Sequence, residues 1–74
     1  MNEEQIRQIL LEENPEFREL YHEHQALESR LQQLREKRYL TPDEEEEERQ
    51  IKKRKLYLKD RMYQMIRAFR QHRL

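Results

Sequence analysis

Apolar residues along this chain recur at alternating steps of three and four, the spacing that keeps them on one stripe of an α-helix. The first long series is Phe17, Leu20, His24, Leu27, Leu31, Leu34 and Arg38, a seam of period 3.5 with polar residues at His24 and at its end. A second series, Glu48, Ile51, Lys55, Leu58, Met62, Met65 and Phe69, repeats the pattern further along. Two such seams in one chain predict two helices that face each other as an antiparallel coiled coil. That register places Leu31 near Ile51, Leu20 near Met62 and Phe17 near Met65.

Two prolines set the boundaries of these elements. Asn14-Pro15-Glu16 reads as an N-cap followed by proline at the first helical position. Thr41-Pro42-Asp43-Glu44 reads the same way and adds a capping box, with Glu44 three residues after the Thr41 cap. Pro42 also disfavours helical dihedrals at Thr41, so the preceding helix must stop before it. The predicted elements are a short helix near 3–12 and long helices near 15–38 and 42–71. A tight turn over Arg38-Tyr39-Leu40-Thr41 joins the long helices and makes them antiparallel neighbours. The fold class is therefore all-α: an antiparallel two-helix coiled-coil hairpin with a short N-terminal helix, one domain over residues 1–74.

The second long helix carries more apolar surface than one seam uses. Leu56, Tyr63 and Ile66 form a second row beside the first, and a single partner helix cannot cover both. At 1.5 Å per residue this helix runs about 45 Å, against about 36 Å for residues 15–38, so it overhangs its partner. The overhang holds Met65, Ile66 and Phe69, over which Ile6, Ile9 and Leu10 of the short helix could fold. A second copy of the chain would cover the rest. The expectation is a homo-oligomeric bundle with Leu56, Tyr63 and Ile66 as the inter-chain contact.

Composition sharpens this picture. A domain of 74 residues buries a limited share of its surface and usually needs added support. There is no cysteine, which excludes disulfides and thiolate metal sites and leaves oligomerisation as the support. There is no glycine either, so a P-loop and a dinucleotide fingerprint are impossible. The start, Met1-Asn2-Glu3-Glu4, lacks the basic and apolar regions of a signal peptide. No stretch approaches the ~20 apolar residues of a membrane span. A cytoplasmic protein is the expectation, with a membrane partner disfavoured.

Charge divides the chain. Residues 1–48 hold 6 Lys and Arg against 15 Asp and Glu, whereas residues 49–74 hold 10 against 1. In an antiparallel hairpin the basic segment Arg35-Glu36-Lys37-Arg38 meets the acidic run 43–48, and Glu16, Glu19 and Glu23 lie beside the basic end of the second helix. Exposed pairs contribute roughly 0–1 kcal/mol each, but together they set orientation and register.

Few residues suggest chemistry. Glu19 and His22 share a helix face as Glu-x-x-His, a spacing found in di-iron carboxylate bundles, where two such motifs and two further glutamates converge. The chain has one copy, and a solvated pair is the simpler reading. His22 and His24 are two apart and do not share a face. His24 sits on the seam, where a polar residue can fix register at some cost in stability. The basic stretch Arg49, Lys52, Lys53, Arg54, Lys55, Lys59, Arg61, Arg67, Arg70 and Arg73, interspersed with Tyr57 and Tyr63, could lie along phosphates, with Arg49, Lys52, Lys53 and Lys59 foremost. The net charge of zero favours instead its pairing with the acidic half. The basic amphipathic end, Met62 to Arg70, could rest on an anionic membrane or dock in a groove, but Met and aromatic residues at helical spacing more often form core. Ser29 is the only serine and has no histidine three or four residues away. A hairpin also offers no pocket that buries a substrate. No catalytic residue, metal, cofactor or small-molecule substrate is expected.

The run Asn14-Pro15-Glu16-Phe17-Arg18-Glu19-Leu20-Tyr21-His22-Glu23-His24-Gln25-Ala26-Leu27 resembles the opening signature of the YdcH-like family of small bacterial proteins. So does Leu40-Thr41-Pro42-Asp43-Glu44-Glu45, followed by Lys52-Lys53 and Lys55-Leu56-Tyr57-Leu58-Lys59-Asp60. Asn14 departs from the histidine more often found there, and either precedes the proline acceptably. The resemblance covers roughly residues 10–66. It implies a helical hairpin with coiled-coil character, and it carries no activity or ligand residues across. The function expected is that of a non-enzymatic interaction and oligomerisation protein. The alternative is a nucleic-acid-binding accessory protein that uses the basic face of the second long helix.

Overall fold

Each helix begins at a side chain that caps it. At the N-terminus the Asn2 Oδ1 accepts the Gln5 amide at 2.9 Å while the Gln5 side chain accepts the Asn2 amide at 3.0 Å. This reciprocal box starts α1, Glu3–Glu13. Asn14 Oδ1 accepts the Phe17 amide at 3.0 Å, and with Pro15 in the first turn it starts α2, Pro15–Arg35. Thr41 Oγ1 accepts the Glu44 amide at 3.1 Å and Glu44 returns a carboxylate oxygen to the Thr41 amide at 3.0 Å, starting α3, Pro42–His72. The computed structural model describes residues 1–72, and these three helices are its only regular elements, with no strand among the described residues.

Asn14 serves two helices at once. Its extended backbone ends α1, with its amide donating to the Leu10 carbonyl at 2.9 Å, and its side chain caps α2. The last carbonyls of α1 would otherwise lack partners. Arg18 reaches back to two of them, donating to the Leu11 and Glu12 oxygens at 2.9 Å each. The corner is thus closed without glycine, and no described residue takes a positive φ.

α2 stops at Arg35, three residues short of the predicted end at 38. Leu40 packs against the cluster of Leu31, Leu34 and Ile51, and the chain must leave the helix early to bring it there. The reversal occupies 36–41 rather than a four-residue turn. Arg38 therefore leaves the seam and lies exposed, its guanidinium 5.9 Å from the Tyr39 ring.

The core has two centres. One is Leu31, Leu34 and Ile51, flanked by Leu27 and Leu40. The other is Ile6, Leu10, Phe17 and Ile66, flanked by Leu11, Met62, Met65 and Phe69. Leu58, fully buried, sits along α3 between them. Ile66 corrects the sequence reading: expected in the row facing a second chain, it is 3% exposed, because α1 folds over the overhang of α3 and covers it.

Ion pairs then fix how α3 lies against the rest of the chain. Arg30 meets Glu47 through two contacts at 2.7 and 2.9 Å, Arg54 meets Glu23 at 2.5 and 2.9 Å, and Arg61 meets Glu16 at 2.9 Å. Lys37–Glu44 and Lys55–Glu28 complete the set. Shifting α3 by one turn would break all of these together.

Deleting the core side chains tests the second centre. Phe17→Ala should cost about 3–5 kcal/mol and Ile66→Ala about 2–5 kcal/mol in urea unfolding followed by circular dichroism. A cost for Ile66→Ala within about 0.5 kcal/mol, the scale of a surface substitution, would contradict the packing of α1.

Candidate functional site

Helix α3 is pinned on both flanks, which decides what it leaves open. On one flank Arg54 and Arg61 are held by Glu23 and Glu16, and Tyr57 lies beneath the Arg54 guanidinium at 5.0 Å. On the other Lys55, largely covered, pairs with Glu28. The seam residues Ile51, Leu58, Met62, Met65 and Phe69 turn inward, as do Phe17, Leu20, Leu27, Leu31 and Leu34 from α2. All of them are buried or half-buried.

What remains is an outer row. Lys52, Leu56, Lys59, Tyr63, Arg67 and Arg70 step by three and four along one exposed stripe. Leu56 is 62% exposed and Tyr63 50% exposed, and the Arg67 guanidinium lies 5.9 Å from the Tyr63 ring. At the N-terminal end of the row Arg49 is held by Glu46 at 2.6 Å, and Lys52 reaches Glu48 at 3.8 Å. Lys53, Lys59, Arg67 and Arg70 make no ion pair among the described residues. Arg73, the last of the basic stretch, lies outside the described residues.

A groove of about 460 Å³ runs between α1 and the hairpin beside this row, bordered by Arg7, Leu11, Tyr21, His24, Lys59 and Tyr63. Sequence reasoning missed it, because it exists only once α1 is docked. A shallower depression of about 270 Å³ lies lower on the same side, among Leu31, Arg35, Lys52, Lys55, Leu56 and Lys59.

His24 stands half-buried on the seam. Its Nε2 is shielded from solvent and has no hydrogen-bond partner among the described residues. Burial lowers its pKa from the ordinary 6.5, and the nearby Lys55 and Lys59 ammonium groups push in the same direction against the opposing pull of Glu28. Both effects favour the neutral ring. His22 is exposed, its ring edge-on to Tyr21 at 6.0 Å, and Glu19 is exposed beside it. Among the described residues no three or more His, Cys, Asp or Glu side chains gather as a metal site would require.

The acidic start of α3 is electrostatically engaged. Glu44 is held down to about 2, first by its bond from Lys37 and then by the Thr41 amide. Glu46 and Glu47 are also lowered, by Gln50 with Arg49 and by Arg30 respectively. No helix among the described residues is long and apolar enough to cross a membrane.

The sequence model of a family described as "Protein of unknown function (DUF465)" matches residues 17–66. The match runs from Phe17 to Ile66, two members of one buried cluster, and leaves α1 outside it. No curated protein and no solved structure matches the chain.

The histidine yields a pH test. Because the folded pKa of His24 lies below the unfolded one, the unfolded chain takes up more protons as pH falls through 6.5, and stability drops there; above that pH the penalty is absent. His24→Leu should raise the melting temperature and flatten the decline in unfolding free energy between pH 7.5 and 5.5. An unchanged slope in the variant would clear His24 of that role.

Proposed function

The chain belongs to the DUF465 family, and we propose that it is a non-enzymatic helical-hairpin module that acts in the cytoplasm by binding protein, a second copy of itself first of all, through the outer row of α3. The observation that carries this reading is the exposure of Leu56 and Tyr63. Of the five large apolar residues exposed among the described residues, three, Leu56, Tyr57 and Tyr63, lie on α3, while the seam of the same helix is covered. Such side chains set in a rim of cations have the makeup of a contact face.

Size supports the same reading. The molecule is an elongated body of 50 × 20 × 16 Å that exposes 5797 Å². A compact chain of 9.5 kDa would expose about 5,000 Å². The excess, about 800 Å², matches one partner's share of a standard protein interface. With α1 covering Ile66, the chain needs a partner less than its sequence suggested, so association belongs to Leu56 and Tyr63 alone.

One observation favours a second reading, a nucleic-acid accessory protein. Lys53, Lys59, Arg67 and Arg70 are cations without an acidic partner among the described residues, on a helix long enough to follow a phosphate backbone. Against it, Arg54, Lys55 and Arg61 are already committed to carboxylates of α2. The N-terminal end of the row is acidic, where Glu45 and Glu48 would repel phosphates.

Light scattering after size exclusion, with the 260/280 nm ratio recorded, separates these readings. The expected result is a multimer free of nucleic acid. The double variant Leu56→Ser/Tyr63→Ser should elute as a helical monomer. Copurified nucleic acid whose binding collapses with salt would favour the second reading. A wild-type monomer at all concentrations would end self-association.

A further inference from the structure

The outer row of α3 is asymmetric in charge from end to end, and that asymmetry makes it self-complementary in one arrangement. Its N-terminal end carries Glu45 and Glu48, its middle Lys52, Leu56 and Lys59, and its C-terminal end Tyr63, Arg67 and Arg70. Glu45 and Arg70 are exposed and in no ion pair among the described residues. Glu48 is held only by the 3.8 Å approach of Lys52. We propose that two copies pack antiparallel along this row, with the two-fold axis passing between residues 57 and 58. The proposal rests on the self-association reading above and specifies its geometry.

The register follows from charge. A parallel pair would set Glu45 on Glu45 and Arg70 on Arg70, like against like along the whole stripe. An antiparallel pair centred between residues 59 and 60 would bring Leu56 opposite Tyr63, but it would also set Lys52 against Arg67 and Arg49 against Arg70. Moving the axis two residues towards the N-terminus parts those pairs and leaves two like-charge approaches, the two Lys59 side chains about one turn apart across the axis and Arg49, already held by Glu46, beside Arg67 of the other copy. Glu45 then faces Arg70 of the other copy, Glu48 faces Arg67, and Lys52 lies over the Tyr63 ring, a favourable site for a cation. By the two-fold, every such contact occurs twice.

The surface at the axis fits this register. Leu56 of the second copy comes between Leu56 and Lys59 of the first, where the shallow depression already lies. The depression is bounded by Leu31 and by the lysines at 52, 55 and 59, whose aliphatic stems can cover a leucine while their ammonium groups stay in water. Residues 45 to 70 span about 37 Å of helix, long enough to make the paired row a full interface.

Charge exchange tests the register directly. Glu45→Arg alone and Arg70→Glu alone should each weaken association about tenfold in sedimentation equilibrium at low salt, since each places two like pairs across the axis. An equimolar mixture of the two variants should recover wild-type affinity, because every altered pair is opposite again in the mixed dimer. In a chain free of cysteine, Leu56→Cys should couple efficiently between copies with a short bis-maleimide, and Ala68→Cys on the far flank should not. This crosslink holds even if a charge variant disturbs the first turn of α3. A dimer indifferent to both charge changes, or a mixture that fails to recover, overturns the register while leaving self-association standing. A wild-type chain that stays monomeric, or binds nucleic acid along the row instead, overturns both.

Discussion

The overhang of α3 is the constraint on which the rest of this small structure depends. α3 has 31 residues and α2 has 21, so α2 cannot cover the full inner face of its partner. The uncovered end holds Met65, Ile66 and Phe69, side chains that water would hydrate at a cost of about 25 cal/mol per Å². α1 turns back across that end, and Ile6 and Leu10 close over Ile66 and Phe17. The turn works because Asn14 ends one helix and caps the next, and because Arg18 satisfies carbonyls left over at the corner. Three local hydrogen-bonding devices thus hold in place the apolar cover that a longer α2 would otherwise supply.

Charge is settled in the same economy of parts. The acidic and basic halves cancel over the whole chain, and the hairpin brings them together pair by pair. Glu16, Glu23 and Glu28 of α2 take Arg61, Arg54 and Lys55, while Arg30 and Lys37 take Glu47 and Glu44. None of these is deeply buried, so each is a weak contribution to stability and a stronger one to register, since all depend on the same sliding position of α3. Among the described charges left without an ion pair, Lys59, Arg67 and Arg70 face away from α2 on the stripe that also carries Leu56 and Tyr63. The polarity of that stripe is therefore a remainder of folding: the hairpin leaves over what it did not use.

Much of the fold was legible because its signals are local. Pro15 and Pro42 mark starts that the caps at Asn14 and Thr41 confirm at atomic distances, and the period of Leu27, Leu31 and Leu34 points to the buried seam. The Asn2 box was equally local, and Gln5 three residues on, just before Ile6, is the signal by which the sequence could have shown it. The end of α2 was misread for a different reason. Nothing between Arg35 and Thr41 breaks a helix by itself, and the break comes from Leu40 returning to Leu31 and Ile51 across the hairpin. Ile66 was misassigned because whether a residue faces a second chain or the protein's own α1 depends on the corner angle at Asn14, which periodicity does not encode. The groove beside Lys59 and Tyr63 was invisible for the same reason.

The small apolar content of the outer row determines what kind of association it can support. Burying Leu56 and Tyr63 from each of two copies contributes about 1.5–3 kcal/mol per side chain. Against this stands the loss of overall motion on pairing, about 4–15 kcal/mol, and the ordering of long Lys and Arg side chains at about 0.5–1.5 kcal/mol each. The two sums are comparable, so apolar burial by itself neither guarantees nor forbids a dimer. Weak, paired charges at the two ends of the row then carry decisive weight, although each would be negligible in a larger interface. An interface balanced in this way responds to concentration and salt, and it selects its partner by charge order along the helix rather than by shape.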